Sequence, residues 1–195
     1  MVKKSYFSIY IFRHGETTYN RDKRFTGFHD PRLTALGVKQ ARIIGRKLKN
    51  KKFRIAICTS LQRSRRTLKE VLKYHKECTG ILEDDRIIER NYGSLNGILH
   101  DEYIQKYGLD SFTKIHRDFH TQPPEGESFA MVEKRVRSFV KDLIPLIRKE
   151  KSNIAISSHG NAIRLFRKIM EKASEKEACS WVIPYDKVFE YKILV

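Results

Sequence analysis

The sequence predicts an α/β fold: a three-layer α/β/α sandwich with a mainly parallel central sheet, spanning residues 1–195 as a single domain. Three observations carry that expectation. Short apolar runs alternate with longer stretches of helical spacing. Two of those runs, at 6–12 and 153–157, lead into the same pair, His14-Gly15 and His159-Gly160. The composition, 40% hydrophobic and 32% charged over 195 residues, suits one soluble globular domain with a substantial core.

Taken in order, Tyr6 to Phe12 is rich in aromatic and β-branched residues and reads as a buried first strand. Residues 15–32 read as a polar loop containing Gly27 and Pro31. Thr34 is a fitting N-cap for a helix to about Lys49, with Leu36, Ala41, Ile44 and Leu48 roughly on one face. Ile55 to Thr59 is a second short strand. A helix from about Arg63 to Tyr74 places Arg63 near its start, and Ile81-Leu82 suggests a strand leading to Glu89. Residues 91–126 are the least regular stretch, with Gly93, Gly97, Gly108 and Pro123-Pro124. An insertion between strands is where substrate-selecting loops tend to lie. The strongest helical spacing follows, through Phe129, Val132, Val136, Phe139, Val140, Leu143 and Ile147. Pro145 is expected to end or bend that helix. After the strand at 153–157 come a helix over 162–170, a short helix over 173–179 and a final strand over 188–195.

The totals narrow the classes of function. No stretch approaches the ~20 apolar residues of a membrane span. Lys3-Lys4 precedes an apolar run, but that run stops at Arg13-His14, so it reads as a strand rather than a leader. Cys58, Cys78 and Cys179 form no metal spacing and no even set, which fits reduced thiols in a cytoplasmic protein, and no metal is expected. The net charge of +17 fits an electropositive field for anionic substrates, nucleic-acid binding, or a solvated basic surface. The last is the simplest. Much of the excess lies on expected helix faces such as 46–52, which have no interleaved aromatic and no nucleic-acid motif. Nucleic acid is therefore disfavoured as a partner, no membrane is expected, and a homodimer stays open.

Chemistry concentrates at the two strand ends. A cation and an imidazole, Arg13 and His14, stand where a strand gives way to a loop, the end at which α/β sheets place ligands. His159 ends a second strand, and the two imidazoles converge if those strands are neighbours. Arg13-His14-Gly15-Glu16-Thr17 and Ser158-His159-Gly160 resemble the histidine phosphatase superfamily, also called phosphoglycerate mutase-like. Phe25-Thr26-Gly27, Leu61-Gln62-Arg63-Ser64 and Glu89-Arg90-Asn91-Tyr92-Gly93 match in family order, so the likeness runs from about residue 6 to the end. Phe-Thr-Gly, Glu-Arg-x-Tyr-Gly and His-Gly-Asn are closer to the cofactor-dependent phosphoglycerate mutases than to the phosphatases. The resemblance implies the same three-layer fold, with an antiparallel edge strand.

It also implies roles. His14 would be the nucleophile, attacking phosphorus through an unprotonated ring nitrogen while a backbone carbonyl holds the other. Arg13, Arg63 and His159 would surround the transferring phosphate, with Asn20 as a further contact. His159 beside phosphate oxygens would be held protonated. The amides of Gly160 and Asn161 open a helix and would donate to the same anion. Glu89 would be the general acid and base. Thr26 and Gly27 would bind the substrate's carboxylate or hydroxyl. Arg90, Tyr92, His116 and Arg117 would hold its second anionic group.

Two departures from the mutases stand out: His116 replaces the first of a pair of arginines, and His100 falls where the mutases carry a lysine. Each exchanges a permanent charge for a pH-dependent one. The longer mutases also have a C-terminal tail over the site, and a shorter lid would favour hydrolysis. The leading expectation is a mutase primed by 2,3-bisphosphoglycerate that interconverts 3- and 2-phosphoglycerate. The alternative is a phosphatase of small phosphomonoesters with the same residues. A basic binding module without turnover is the remote third reading, distinguishable by salt-sensitive affinity for nucleic acid.

Overall fold

The computed structural model of the protein describes residues 5–195. Strand β1 (Tyr6–Arg13) leads through a single turn, α1 (Thr18–Arg21), to α2 (Ala35–Leu48). Then come β2 (Ile55–Cys58), α3 (Gln62–Leu72) and β3 (Gly80–Glu83). Helices α4 (His100–Tyr107) and α5 (Leu109–Arg117) precede the long α6 (Phe129–Glu150). The strand β4 (Ile154–Ser158), helices α7 (Gly160–Glu171) and α8 (Glu175–Ser180), and strand β5 (Val188–Leu194) follow. The sheet order is β3-β2-β4-β1-β5. All neighbours are parallel except β5, which runs antiparallel to β1 at the edge.

Alternation along the central strands builds the layers. Ile9 and Ile11 of β1, with Ile154 and Ile156 of β4, face Val132, Val136, Phe139 and Phe166 on α6 and α7. Tyr10, Phe12 and Ala155 point the other way, onto Ile44 and Leu48 of α2 and Leu68 and Val71 of α3. Fully burying an aliphatic side chain contributes ~1.5–3 kcal/mol, so these two faces hold the sheet between its helices. The register of β1 on β4 matters most for function. Arg13 lies opposite Ser158, so the next residue of each strand is a histidine. The His14 amide donates to the Ser158 carbonyl at 2.9 Å and carries the ladder one step further.

Three local expectations change. Residues 91–126 are not mainly loop: they hold α4 and α5, joined at Gly108, whose φ is +84°. Each helix is too short to show a clear apolar period, and Gly108 breaks the pattern between them. Phe25, Tyr92, Leu95, Tyr103 and Ile115 form a small core beneath this pair. Pro145 does not end α6, which continues to Glu150 and stops at the left-handed Lys151. The buried Leu143 and Ile147 on either side hold the helix through the missing N–H. The loop at 15–32 contains α1, closed by a reciprocal cap between Thr17 and Asn20.

The turn after β1 depends on two glycines in contact. A Cβ on Gly15 would sit 2.1 Å from the Gly37 carbonyl oxygen, at the start of α2. Backbone cannot yield as a flexible side chain does. Gly15→Ala is therefore expected to destabilise the protein by about 1–3 kcal/mol, seen as a lower Tm and denaturant midpoint.

Candidate active site

His14 and His159 are 1% and 0% exposed, and their ring centroids lie 5.0 Å apart at the carboxyl ends of β1 and β4. Nδ1 of His14 is 2.7 Å from the Gly15 carbonyl oxygen. A carbonyl only accepts, so Nδ1 carries the hydrogen and Nε2 keeps its lone pair. Nε2 of His159 is 2.8 Å from the Thr59 hydroxyl, and Nδ1 of His159 is buried without a partner among the described residues.

Arg63, in the first turn of α3, is fully buried. It donates from Nη1 to the His29 carbonyl and from Nη2 to the Gly27 carbonyl, while Nε has no partner among the described residues. Arg13 donates from Nη1 to the Ile183 carbonyl at 3.1 Å, and its Nε is also buried and unpartnered. Two guanidinium nitrogens and one imidazole nitrogen, from three segments, are thus buried and left open at this site. Unpartnered buried groups of this kind are costly, and they mark a place built for a ligand.

Glu89 completes the group. Its Oε1 accepts from the Arg90 amide at 2.9 Å and the Asn161 amide at 3.1 Å. One carboxylate oxygen is fixed and the other is left for chemistry. The Asn161 amide, expected to meet the anion, therefore serves Glu89 instead. His14, Glu89 and His159 also bring one potential metal ligand each within 4.8 Å of one another. The charged guanidinium groups of Arg13 and Arg63 nearby favour an anion over a cation at this position.

Burial is the largest influence on both imidazoles. It pushes His14 well below 6.5, with Arg63 and Arg13 acting in the same direction. His159 is lowered in the same way by burial, Arg63 and His14. This suits a nucleophile at His14; burial and the neighbouring cations favour the neutral ring at His159 too, whereas the expected protonated ring belongs to a site with phosphate oxygens beside it. Burial brings Arg63 down to about 10, which leaves it charged at neutral pH.

Above these groups opens a pocket lined by Arg13, Asn20, Thr26, Gly27, Glu89, Tyr92, His100, His116, Gly160 and Asn161. Most sequence-expected positions therefore meet at one cavity. Asn20 reaches it with its Oδ1 already used by Thr17, leaving the amide NH2. Five expected residues are not in its lining: the buried His14, Arg63 and His159, and also Arg90 and Arg117. Arg90 is fully buried. It donates to the carbonyls of Glu127, Ile115 and Thr121 and stacks over Phe129 and Tyr92. Arg117 donates to the Cys179 carbonyl on α8. Both guanidinium groups brace backbone rather than face the cavity.

Lys23, Arg24, Arg164 and Tyr185 line the pocket and were not among the expected residues. Arg164 lies one helical turn beyond Gly160 on α7, a spacing that puts both on one face, so it was open to inference. Tyr185 comes from the loop before β5 and carries no such signal.

The family model of the histidine phosphatase superfamily (branch 1) matches residues 9–190. The chain belongs to the histidine phosphatase superfamily. The 2,3-bisphosphoglycerate-dependent phosphoglycerate mutase of Nitrobacter winogradskyi is 34% identical over 174 residues, covering 87% of this chain and 83% of that one. Among solved structures, YhfR of Bacillus stearothermophilus aligns with a TM-score of 0.83 and 25% identity, over 94% of this chain and 90% of that one. The putative alpha-ribazole-5'-P phosphatase of Escherichia coli aligns with a TM-score of 0.82 and 21% identity, over 97% and 94%. Proteins similar to this chain thus include one named as a mutase and one named as a putative phosphatase.

The buried histidines also make stability pH-dependent. In the unfolded chain the imidazoles of His14, His159 and His116 take up protons below 6.5. In the folded protein burial lowers all three, His116 to about 3. The folded state is therefore fully favoured above pH 6.5 and loses stability as pH falls, by at most ~1.4 kcal/mol per pH unit per imidazole. The urea midpoint is expected to drop between pH 7 and 5, and His116→Phe should flatten that slope by up to one proton.

Proposed function

We propose that this protein transfers phosphoryl groups through a covalent phosphate on Nε2 of His14, and that its reaction is the 2,3-bisphosphoglycerate-dependent interconversion of 3- and 2-phosphoglycerate. The observation that carries the chemistry is the His14 ring, with Nδ1 tied to the Gly15 carbonyl and the buried, partnerless nitrogens of Arg13, Arg63 and His159 around it. The likeness to named mutases over 87% of the chain supports the substrate.

The residues fit a bisphosphate primer. The open Nε groups of Arg13 and Arg63 suit one phosphoryl group, and Lys23, Arg24 and Arg164 line the cavity for the remaining anionic groups. Bound there, the primer would supply the phosphoryl group that first charges His14.

In the transfer, the Nε2 lone pair forms the bond to phosphorus while the phosphorus–oxygen bond breaks, its pair going to the leaving oxygen. Arg13 and Arg63 steady the equatorial oxygens. A hydrogen bond from the Thr59 hydroxyl to Nε2 of His159 would leave Nδ1–H of that ring to donate to the same group. Glu89, fixed through Oε1, gives the leaving oxygen its proton from Oε2. In the return step it takes the proton of the incoming hydroxyl, and the phosphorus–nitrogen pair goes back to His14. On this reading the partner is a small cytoplasmic phosphomonoester, and chelators leave the rate unchanged.

One observation favours a second reading, a phosphatase. His100 and His116 meet edge-on, with centroids 5.2 Å apart, against Phe25 and Phe112. Burial lowers both, so neither supplies charge at neutral pH. With Arg90 and Arg117 turned to carbonyls, the far side of the pocket grips a second anionic group less firmly, and water would then take the phosphoryl group. The two readings separate in one assay. With 3-phosphoglycerate and 2,3-bisphosphoglycerate, the mutase yields 2-phosphoglycerate. Release of inorganic phosphate at a comparable rate, without the isomer, would establish the phosphatase.

A further inference from the structure

Arg13 is held from three sides, two of them by a loop the mechanism above does not use. The loop runs over residues 181–187, between α8 and β5. Its Ile183 carbonyl accepts from Nη1 of Arg13 at 3.1 Å. The Tyr185 ring lies on the guanidinium, with Cζ 4.1 Å from its centroid. On the third side is Gly160, where a Cβ would come within 3.4 Å of Arg13 Cζ and Nε. The same loop fixes the second pocket cation: the Trp181 carbonyl accepts from Nε of Arg164 at 2.8 Å. The loop is itself anchored, with Ile183 2% exposed in the core and Trp181 stacked on Arg167 at 3.9 Å.

Tyr185 also stands beside the nucleophile. Its ring centroid is 6.5 Å from that of His14, and it lines the pocket that leads there. Burial raises the pKa of its phenol, so a neutral ring faces the cation. A flat apolar face stacked on Arg13 does two things. It removes the rotational freedom of a guanidinium that must meet phosphate oxygens at a set angle. It also occupies volume that water would otherwise fill on the Tyr185 side of the His14 ring.

We propose that Tyr185 is a positioning residue that locks Arg13 and shields phosphorylated His14 from water, so that it sets the ratio of phosphoryl transfer to hydrolysis. The inference rests on the phosphohistidine reading. The reaction it restrains is balanced simply. A water oxygen bonds to phosphorus, the phosphorus–nitrogen bond breaks with its pair returning to Nε2, Glu89 accepts the water proton, and inorganic phosphate leaves.

The test uses the full-length protein loaded with radiolabelled phosphate from 2,3-bisphosphoglycerate and then freed of donor. The lifetime of the acid-labile label in buffer is measured, together with the share passed to added 3-phosphoglycerate. Tyr185→Ala is expected to shorten that lifetime by about tenfold and to divert label to inorganic phosphate. Tyr185→Phe keeps the ring and is expected to restore both values to within about twofold. A lifetime in Tyr185→Ala equal to that of the unaltered protein would overturn the role of Tyr185 while leaving His14 as nucleophile. A Tyr185→Phe protein as short-lived as Tyr185→Ala would overturn the shielding ring in favour of the hydroxyl. Failure of the unaltered protein to take up label at all would instead remove the phosphohistidine reading, and the inference with it.

Discussion

His14→Ala is expected to abolish both turnover and the acid-labile phosphate on the protein, with kcat falling by on the order of 10⁴-fold or more. Among the described residues, only Nε2 of this ring combines a lone pair, an anchored partner nitrogen and open guanidinium donors nearby. His159 does not replace it, because its Nε2 is engaged with Thr59. The side chain is 1% exposed, so its loss leaves a cavity, and a thermal melt must show that the variant is folded. Label retained on a folded His14→Ala protein would place the nucleophile elsewhere.

Glu89→Gln is expected to lower kcat by about 10²–10⁴-fold, with KM shifted far less. The substitution is nearly isosteric. Its carbonyl oxygen can still accept from the Arg90 and Asn161 amides, so the surrounding backbone stays in place. What the amide cannot do is carry a proton between leaving and incoming oxygens. A change confined to KM would make Glu89 a binding residue and leave the proton to another group.

The core of the site was legible from the sequence because it depends on strand ends. Two apolar runs leading into His-Gly meet when their strands are parallel neighbours, and the pairing of Arg13 with Ser158 does this. Burial on both faces made those runs readable without any tertiary information. The substrate side was less legible, for a different reason. A motif gives the type of a residue but not the direction of a long side chain. Arg90 and Arg117 are cations in the expected places, yet backbone carbonyls of α5, α8 and nearby loops engage them instead. The short helices α4 and α5 hid behind Gly108. Tyr185 reaches the site only because antiparallel β5 brings its preceding loop back over β1.

These corrections shift weight toward the ends of the pocket rather than its floor. On the proposed reading phosphoryl chemistry needs His14, Glu89 and the buried arginines, and ring or carboxylate atoms of His14, Glu89 and His159 lie within 4.8 Å of one another. On the same reading, discrimination among substrates would fall to the half-buried His100 and His116 and to the cations Lys23, Arg24 and Arg164, which line the pocket. A superfamily that supports both transfer and hydrolysis on one fold would be tuned at such positions.

The most direct measurement is to trap the phosphorylated protein under alkaline conditions and locate the phosphate by tandem mass spectrometry and phosphorus NMR. A single acid-labile phosphate on Nε2 of His14 is the expected result. Phosphate on Nδ1, on His159 or on a non-histidine side chain, or full turnover with no phosphoprotein formed, would contradict it.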